Sequence, residues 1–139
     1  MRLWHTTLIK ALPREQLVAQ WRELSSIAGA IQKNGTPNHI LVNFVLNYDY
    51  NHFISYAYYV RQEMTRRGYR TMNSVWDKIV ALKPNWVLLS LEEIYPYKMN
   101  DFYLLVCYYN LAEKESCGGI SVNDWNNIAD IMEKADVVY

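Results

Sequence analysis

A chain of 139 residues that is 51% hydrophobic, with only 5 glycines and 4 prolines, is long enough to bury a real core and too apolar to stay disordered. Its 14 basic and 14 acidic residues cancel, so the basic excess usual in nucleic-acid binders is missing, although a local patch suffices for such binding. Two cysteines are too few for a disulfide scaffold and three singly placed histidines give no ligand spacing, so neither a metal nor another cofactor is expected.

No apolar run approaches the ~18–20 residues of a membrane span. The opening Met1-Arg2 lacks the apolar stretch and cleavage site of a signal peptide, which makes the cytoplasm the default location. One domain over residues 1–139 is expected.

Leu3, Trp4 and Leu8 are placed to pin the amino-terminal segment, which would otherwise fray. A first helix is predicted over residues 12–33, with Pro13 in its first turn, where a missing N–H removes no helical bond. Leu17, Trp21, Leu24, Ala28 and Ile31 recur at steps of three and four as its apolar seam. Glu23 lies off that seam, on a face shared with Gln16, Ala19, Ser26 and Ala30. Short neighbours leave a shallow trough in which the carboxylate stands largely unobstructed. The ordinary alternative is a solvated helix-surface Glu.

Asn34-Gly35-Thr36-Pro37-Asn38 reads as a stop and loop, and residues 39–46 fit either a short helix or an extended segment. Asp49 or Asn51 can cap a second helix reaching about Arg67, with Phe53, Ala57, Val60 and Met64 as its seam, Ile54 and Tyr58 flanking it, and Gly68 ending it. Arg61, Arg66, Arg67 and Arg70 gather at this end, either to complement the helix C-terminus or to meet phosphate.

A third helix starts at Asn73 or Ser74 and stops at Pro84, with Trp76, Ile79 and Val80 as core candidates. A fourth, capped by Asn100 or Asp101, runs to about Glu115. Leu104, Leu105, Val106 and Tyr108 make it apolar nearly all round, which predicts a central, buried element with Cys107 as a small core residue. Ser121 to Asp124 resembles a capping box and opens a last helix with the seam Val122, Trp125, Ile128, Ala129 and Met132. Five helices without a convincing alternating strand predict a compact all-α bundle. Most of the twelve tyrosines are expected to line the core with the hydroxyl at its rim.

Leu12, Leu17, Arg22-Glu23-Leu24, Gly29-Ala30 and Lys33, at these distances from the start, resemble the phage and bacterial pyrimidine-dimer DNA glycosylase family, often called endonuclease V. The opening Met1-Arg2-Leu3-Trp4-His5 looks like the bacterial branch. Glu63 through Arg66-Arg67-Gly68-Tyr69 looks like the end of that family's second helix. Beyond about Trp76 only Leu111-Ala112-Glu113-Lys114 is similar.

The resemblance implies a compact all-α fold and cleavage of the glycosidic bond at a damaged pyrimidine in double-stranded DNA, followed by lyase nicking of the strand. It implies that the chain's own α-amine forms an imine with the sugar C1′, that Glu23 is the acid/base, and that Arg22 helps hold the DNA. An α-amine suits this role because it titrates near ~8, against ~10.4 for Lys.

Two positions depart from the family pattern. Arg2 is bulky and keeps the initiator in place, so the nucleophilic amine becomes that of Met1, and the family's Arg three residues after its Glu is Ser26 here. His5 is a further candidate if the amino terminus folds back onto the first helix. Arg2, Arg66, Arg67 and Arg70 join Arg22 as candidate DNA contacts. The competing expectations are a non-catalytic relative of the fold that binds nucleic acid or protein, and a helical module whose Tyr- and Trp-rich surface meets a protein partner.

Overall fold

A computed structural model describes residues 1–137, and all the regular structure among them is helical. The five predicted helices are present: α1 (Arg14–Asn34), α2 (Tyr50–Arg66), α3 (Asn73–Val80), α4 (Asp101–Ser116) and α5 (Val122–Ala135). A short 3-10 turn at Thr6–Ala11 precedes them, and two more at Asn43–Asn47 and Leu91–Glu93 lie between them. Residues 39–46, open between two conformations by sequence, therefore hold a turn followed by a 3-10 segment.

The caps follow the sequence. Asp49 accepts from Asn51 N–H, Asn100 from Tyr103 N–H and Ser121 from Asp124 N–H, each satisfying a donor that the helix leaves free. Gly35 closes α1 at φ 75°, a left-handed conformation that costs glycine nothing.

The core is built from the predicted seams of α1 and α2, where Leu17, Trp21, Leu24, Ala28, Phe53, Ala57, Val60 and Met64 are all buried. α1 packs against α2 and α3. Gly29 admits the Lys78 side chain of α3, whose Nζ lies 2.9 Å from where a Cβ would stand. Leu3, Trp4 and Leu8 are buried as expected, so the amino-terminal segment is a structural member of the core.

Four expectations change. α4 is not central: Tyr103, Leu104, Cys107 and Leu111 enter the core, while Phe102 is 75% exposed and Tyr109 53%. Apolar residues all round a helix do not bury it when the neighbouring elements cover one side only. In α5, Val122 sits in the first turn beyond the packed seam and is exposed. Trp76 lines an open groove with Tyr58 and Trp86 and is only half-buried. The tyrosine hydroxyls often turn inward to main-chain carbonyls: Tyr50 donates to Ile79, Tyr59 to Leu89 and Tyr103 to Leu3.

The apolar stretch after α3 forms an extended strap across α2. Asn51 and Ser55 accept from Val87 and Leu89 N–H, both at 2.9 Å, and Tyr59 donates to Leu89 O at 2.8 Å. These three side chains stand one helical turn apart on α2 and supply the partners that a neighbouring strand would otherwise give.

Candidate active site

Glu23 stands on the flank of α1 beside the amino-terminal segment. The main chain of that segment is held by Gln20, whose side chain is fully buried. Gln20 Oε1 accepts from Trp4 N–H at 2.8 Å and Nε2 donates to Arg2 O at 3.0 Å, so one carboxamide grips the strand-like segment as a β-partner would. The same Nε2 lies 3.3 Å from Glu23 Oε2. Tyr56 supports the grip from α2, its hydroxyl reaching Trp4 O and Gln20 Oε1, and Tyr103 from α4 donates to Leu3 O.

The result is a cleft of about 390 Å³ lined by Met1, Arg2, Trp4, Glu15, Gln16, Ala19, Glu23, Asn110 and Lys114. The trough expected over Ala19 and Glu23 exists, but the amino-terminal segment and α4 wall it, so Glu23 is half-buried. Desolvation raises the Glu23 carboxyl above the usual carboxylate range, against the opposing pull of the α-amino charge, the Arg2 N–H and His39. A carboxyl whose pKa is raised by burial, beside an amine, is suited to giving and taking protons there.

The sequence candidates divide sharply by position. Met1, the main chain of Arg2 and Glu23 come together in the cleft. The Arg2 side chain lies 5.9 Å over the Trp4 ring and against Tyr103 and Cys107. Arg22 is exposed on α1 next to the cleft, with no ion pair among the described residues.

His5 is outside the cleft. It is 6% exposed, its Nδ1 accepts from Thr7 N–H at 3.1 Å, and its ring meets the backbone carbonyls of Met99 and Asn100. Burial lowers its pKa, so it serves as the neutral cap of the first 3-10 turn.

Arg66 and Arg67 lie at the far end of α2 and share the buried carboxylate of Glu63. Burial pushes that carboxyl up, and the two guanidinium groups outweigh it, leaving the Glu63 pKa below its ordinary value. Arg67 also donates to Leu12 O at 2.7 Å and Lys10 O at 3.1 Å, tying the end of α2 to the start of α1. Arg70 is exposed just beyond.

Gln20, Asn110 and Lys114 were not singled out by sequence. Gln20 had a signal: it sits three residues before Glu23 on the seam's flank, where a buried amide must find partners. Lys114 lies in the short stretch already noted as similar to the family, and here its side chain lines the cleft.

A family model described as pyrimidine dimer DNA glycosylase matches residues 1–77, more than half of the chain. No curated protein and no solved structure matches it. The matched span contains Met1, Gln20 and Glu23 with the whole of α1 and α2, and the chain belongs to the pyrimidine dimer DNA glycosylase family.

Proposed function

We propose that this chain is a DNA glycosylase with associated AP lyase activity on damaged pyrimidines in double-stranded DNA, with the Met1 α-amine as nucleophile and Glu23 as acid/base. The observation that carries the reading is the common cleft of these two groups, with Gln20 holding the segment that bears the amine against the helix that bears the carboxyl.

In this reading the neutral amine attacks C1′ and the glycosidic C–N bond breaks, the base leaving with the electron pair and taking up the proton that the newly formed secondary ammonium sheds. The C1′–O4′ bond then opens to an iminium, O4′ taking a proton from the Glu23 carboxyl. The Glu23 carboxylate next removes a C2′ proton, the electrons move toward C1′, and the 3′ phosphate is expelled by β-elimination. Arg22 and Lys114 flank the cleft as phosphate contacts for the two sides of the lesion. Burial raises the pKa of the half-buried Glu23 carboxyl, which favours the protonated form that O4′ draws on.

The test is borohydride trapping on duplex DNA carrying an abasic site, with an amine-blocked sample and Glu23→Gln alongside and an intact mass to show that Met1 is present. A covalent complex lost on blocking the amine, and formed by Glu23→Gln without strand nicking, is the expected result. Salt-sensitive binding with no trapped species rejects the lyase and leaves a non-catalytic relative that binds DNA.

A further inference from the structure

The turn that follows α1 carries a side chain that the core does not use. Ile40 is 88% exposed and Leu41 beside it 42%. A large aliphatic group held in water is ordinary on a mobile loop, but this turn is tightly built. His39 O accepts from Val42 and Asn43 N–H at 3.0 and 2.8 Å, Asn43 Oδ1 accepts from His39 N–H at 2.9 Å, and His39 Nδ1 faces Leu41 N–H at 3.2 Å. Asn38 takes φ 52°, a strained conformation for a residue with a side chain, and Val42 anchors the base at 0% exposure. Four hydrogen bonds, one left-handed residue and one buried anchor thus hold Ile40 out to solvent.

The turn is near the cleft. Phe44, just after it, lies under the Lys98 ammonium at 5.0 Å, which stands 4.1 Å over the Tyr103 ring, and Tyr103 bonds Leu3 in the amino-terminal segment. His39 itself lies within electrostatic reach of Glu23. The stretch that carries the turn is free of acidic side chains. Residues 24–48 contain no Asp or Glu, although the chain has 14 elsewhere, and Lys33 and His39 are their only basic side chains.

We infer that the 38–42 turn is a DNA wedge, with Ile40 entering the base stack beside the damaged nucleotide and Leu41 closing over the opened step. The inference rests on the proposed DNA reading and adds the element that opens the duplex. An aliphatic side chain on a rigid, acid-free turn fits between bases, where it loses its exposure to water and holds the step apart. The same side chain in contact with a protein partner would leave DNA behaviour untouched.

The experiment uses a duplex with a tetrahydrofuran abasic analogue, which cannot form an imine, and 2-aminopurine immediately next to it. Affinity is read by anisotropy and unstacking by 2-aminopurine emission, for the unaltered chain, Ile40→Ala and Ile40→Leu. The unaltered chain is expected to bind and raise the emission. Ile40→Ala is expected to bind about 10-fold more weakly and to lose the rise, with its melting temperature unchanged, while Ile40→Leu keeps both. Ile40→Ala behaving as the unaltered chain overturns the wedge and leaves the glycosylase reading standing. Failure of the unaltered chain to bind the duplex overturns both.

Discussion

Gln20 Nε2 stands 3.3 Å from Glu23 Oε2 and 3.0 Å from the carbonyl of Arg2, so a single buried amide couples the candidate acid/base to the segment bearing the candidate nucleophile. Replacing it with Ala removes both hydrogen bonds to the amino-terminal main chain and leaves the Trp4 N–H, shut away from water, without a partner. The expected cost is about 2–3 kcal/mol of stability, read by chemical denaturation. Imine trapping should fall by much more than the loss of folded protein explains, because the released segment no longer holds its amine over Glu23. Trapping that falls only in step with the folded fraction would reduce Gln20 to a packing residue.

The raised pKa of Glu23 fixes the sign of a pH effect. The folded state binds this proton more tightly than the unfolded chain, so stability falls as pH rises from 4.5 through the raised value. Glu23→Gln, which cannot ionise, should be more stable than the unaltered chain at neutral pH, with the advantage vanishing in acid below the unfolded value. Paired denaturation curves at pH 7.5 and pH 4 test this, and a variant less stable than its parent at pH 7.5 contradicts it. In the same reading, nicking by the unaltered chain declines on acidification with a midpoint above 4.5, as the carboxylate that removes the C2′ proton is neutralised.

The arginines separate into two kinds that a single assay of DNA affinity would confuse. Arg67 is mostly buried, shares Glu63 and donates to Leu12 and Lys10. Arg67→Ala should cost about 2–3 kcal/mol, and Arg67→Lys should recover little of it, since one ammonium cannot span three acceptors. Arg22 is exposed and has no ion pair among the described residues, so Arg22→Ala should leave the melting temperature unchanged and lower the slope of log affinity against log salt by about 1. The opposite pattern, stability lost at Arg22 and salt slope lost at Arg67, would reverse the assignment of the DNA face.

Much of this was legible in the chain itself, and the reasons are specific. The seams of α1 and α2 follow helical periodicity because each helix buries one stripe, and the caps at Asp49, Asn100 and Ser121 are local chemistry that distant packing does not override. Met1 and Glu23 are paired by resemblance, and both residues line one cleft. What sequence could not supply was long-range: that Gln20 would grip Trp4 across 16 positions, that Tyr103 would reach Leu3 across 100, and that α4 would leave Phe102 in water. Nor does composition distinguish an arginine aimed at solvent from one aimed at a carbonyl, which is why Arg66 and Arg67 resembled a phosphate grip yet share a buried carboxylate.

His5 and His52 carry the last expectation. Each accepts a backbone N–H on Nδ1, His5 from Thr7 at 3.1 Å and His52 from Tyr95 at 3.0 Å, and protonating that nitrogen breaks the bond. Desolvation by burial lowers both pKa values, against the nearby carboxylates of Asp101 for His5 and of Asp49 and Glu93 for His52. A histidine depressed in the folded state binds its proton later than the unfolded chain does, so its contribution to stability is complete above about 6.5 and is lost as pH falls through and below that value. His5→Asn keeps an acceptor at the start of the first 3-10 turn and removes the titration. It should be less stable than the unaltered chain at pH 7.5, where it gives up ring packing against Tyr103, and should lose less on going to pH 5.5. Denaturation midpoints at the two pH values measure the slope directly. An unchanged slope in His5→Asn would place the acid sensitivity elsewhere, with His52 as the next residue to replace.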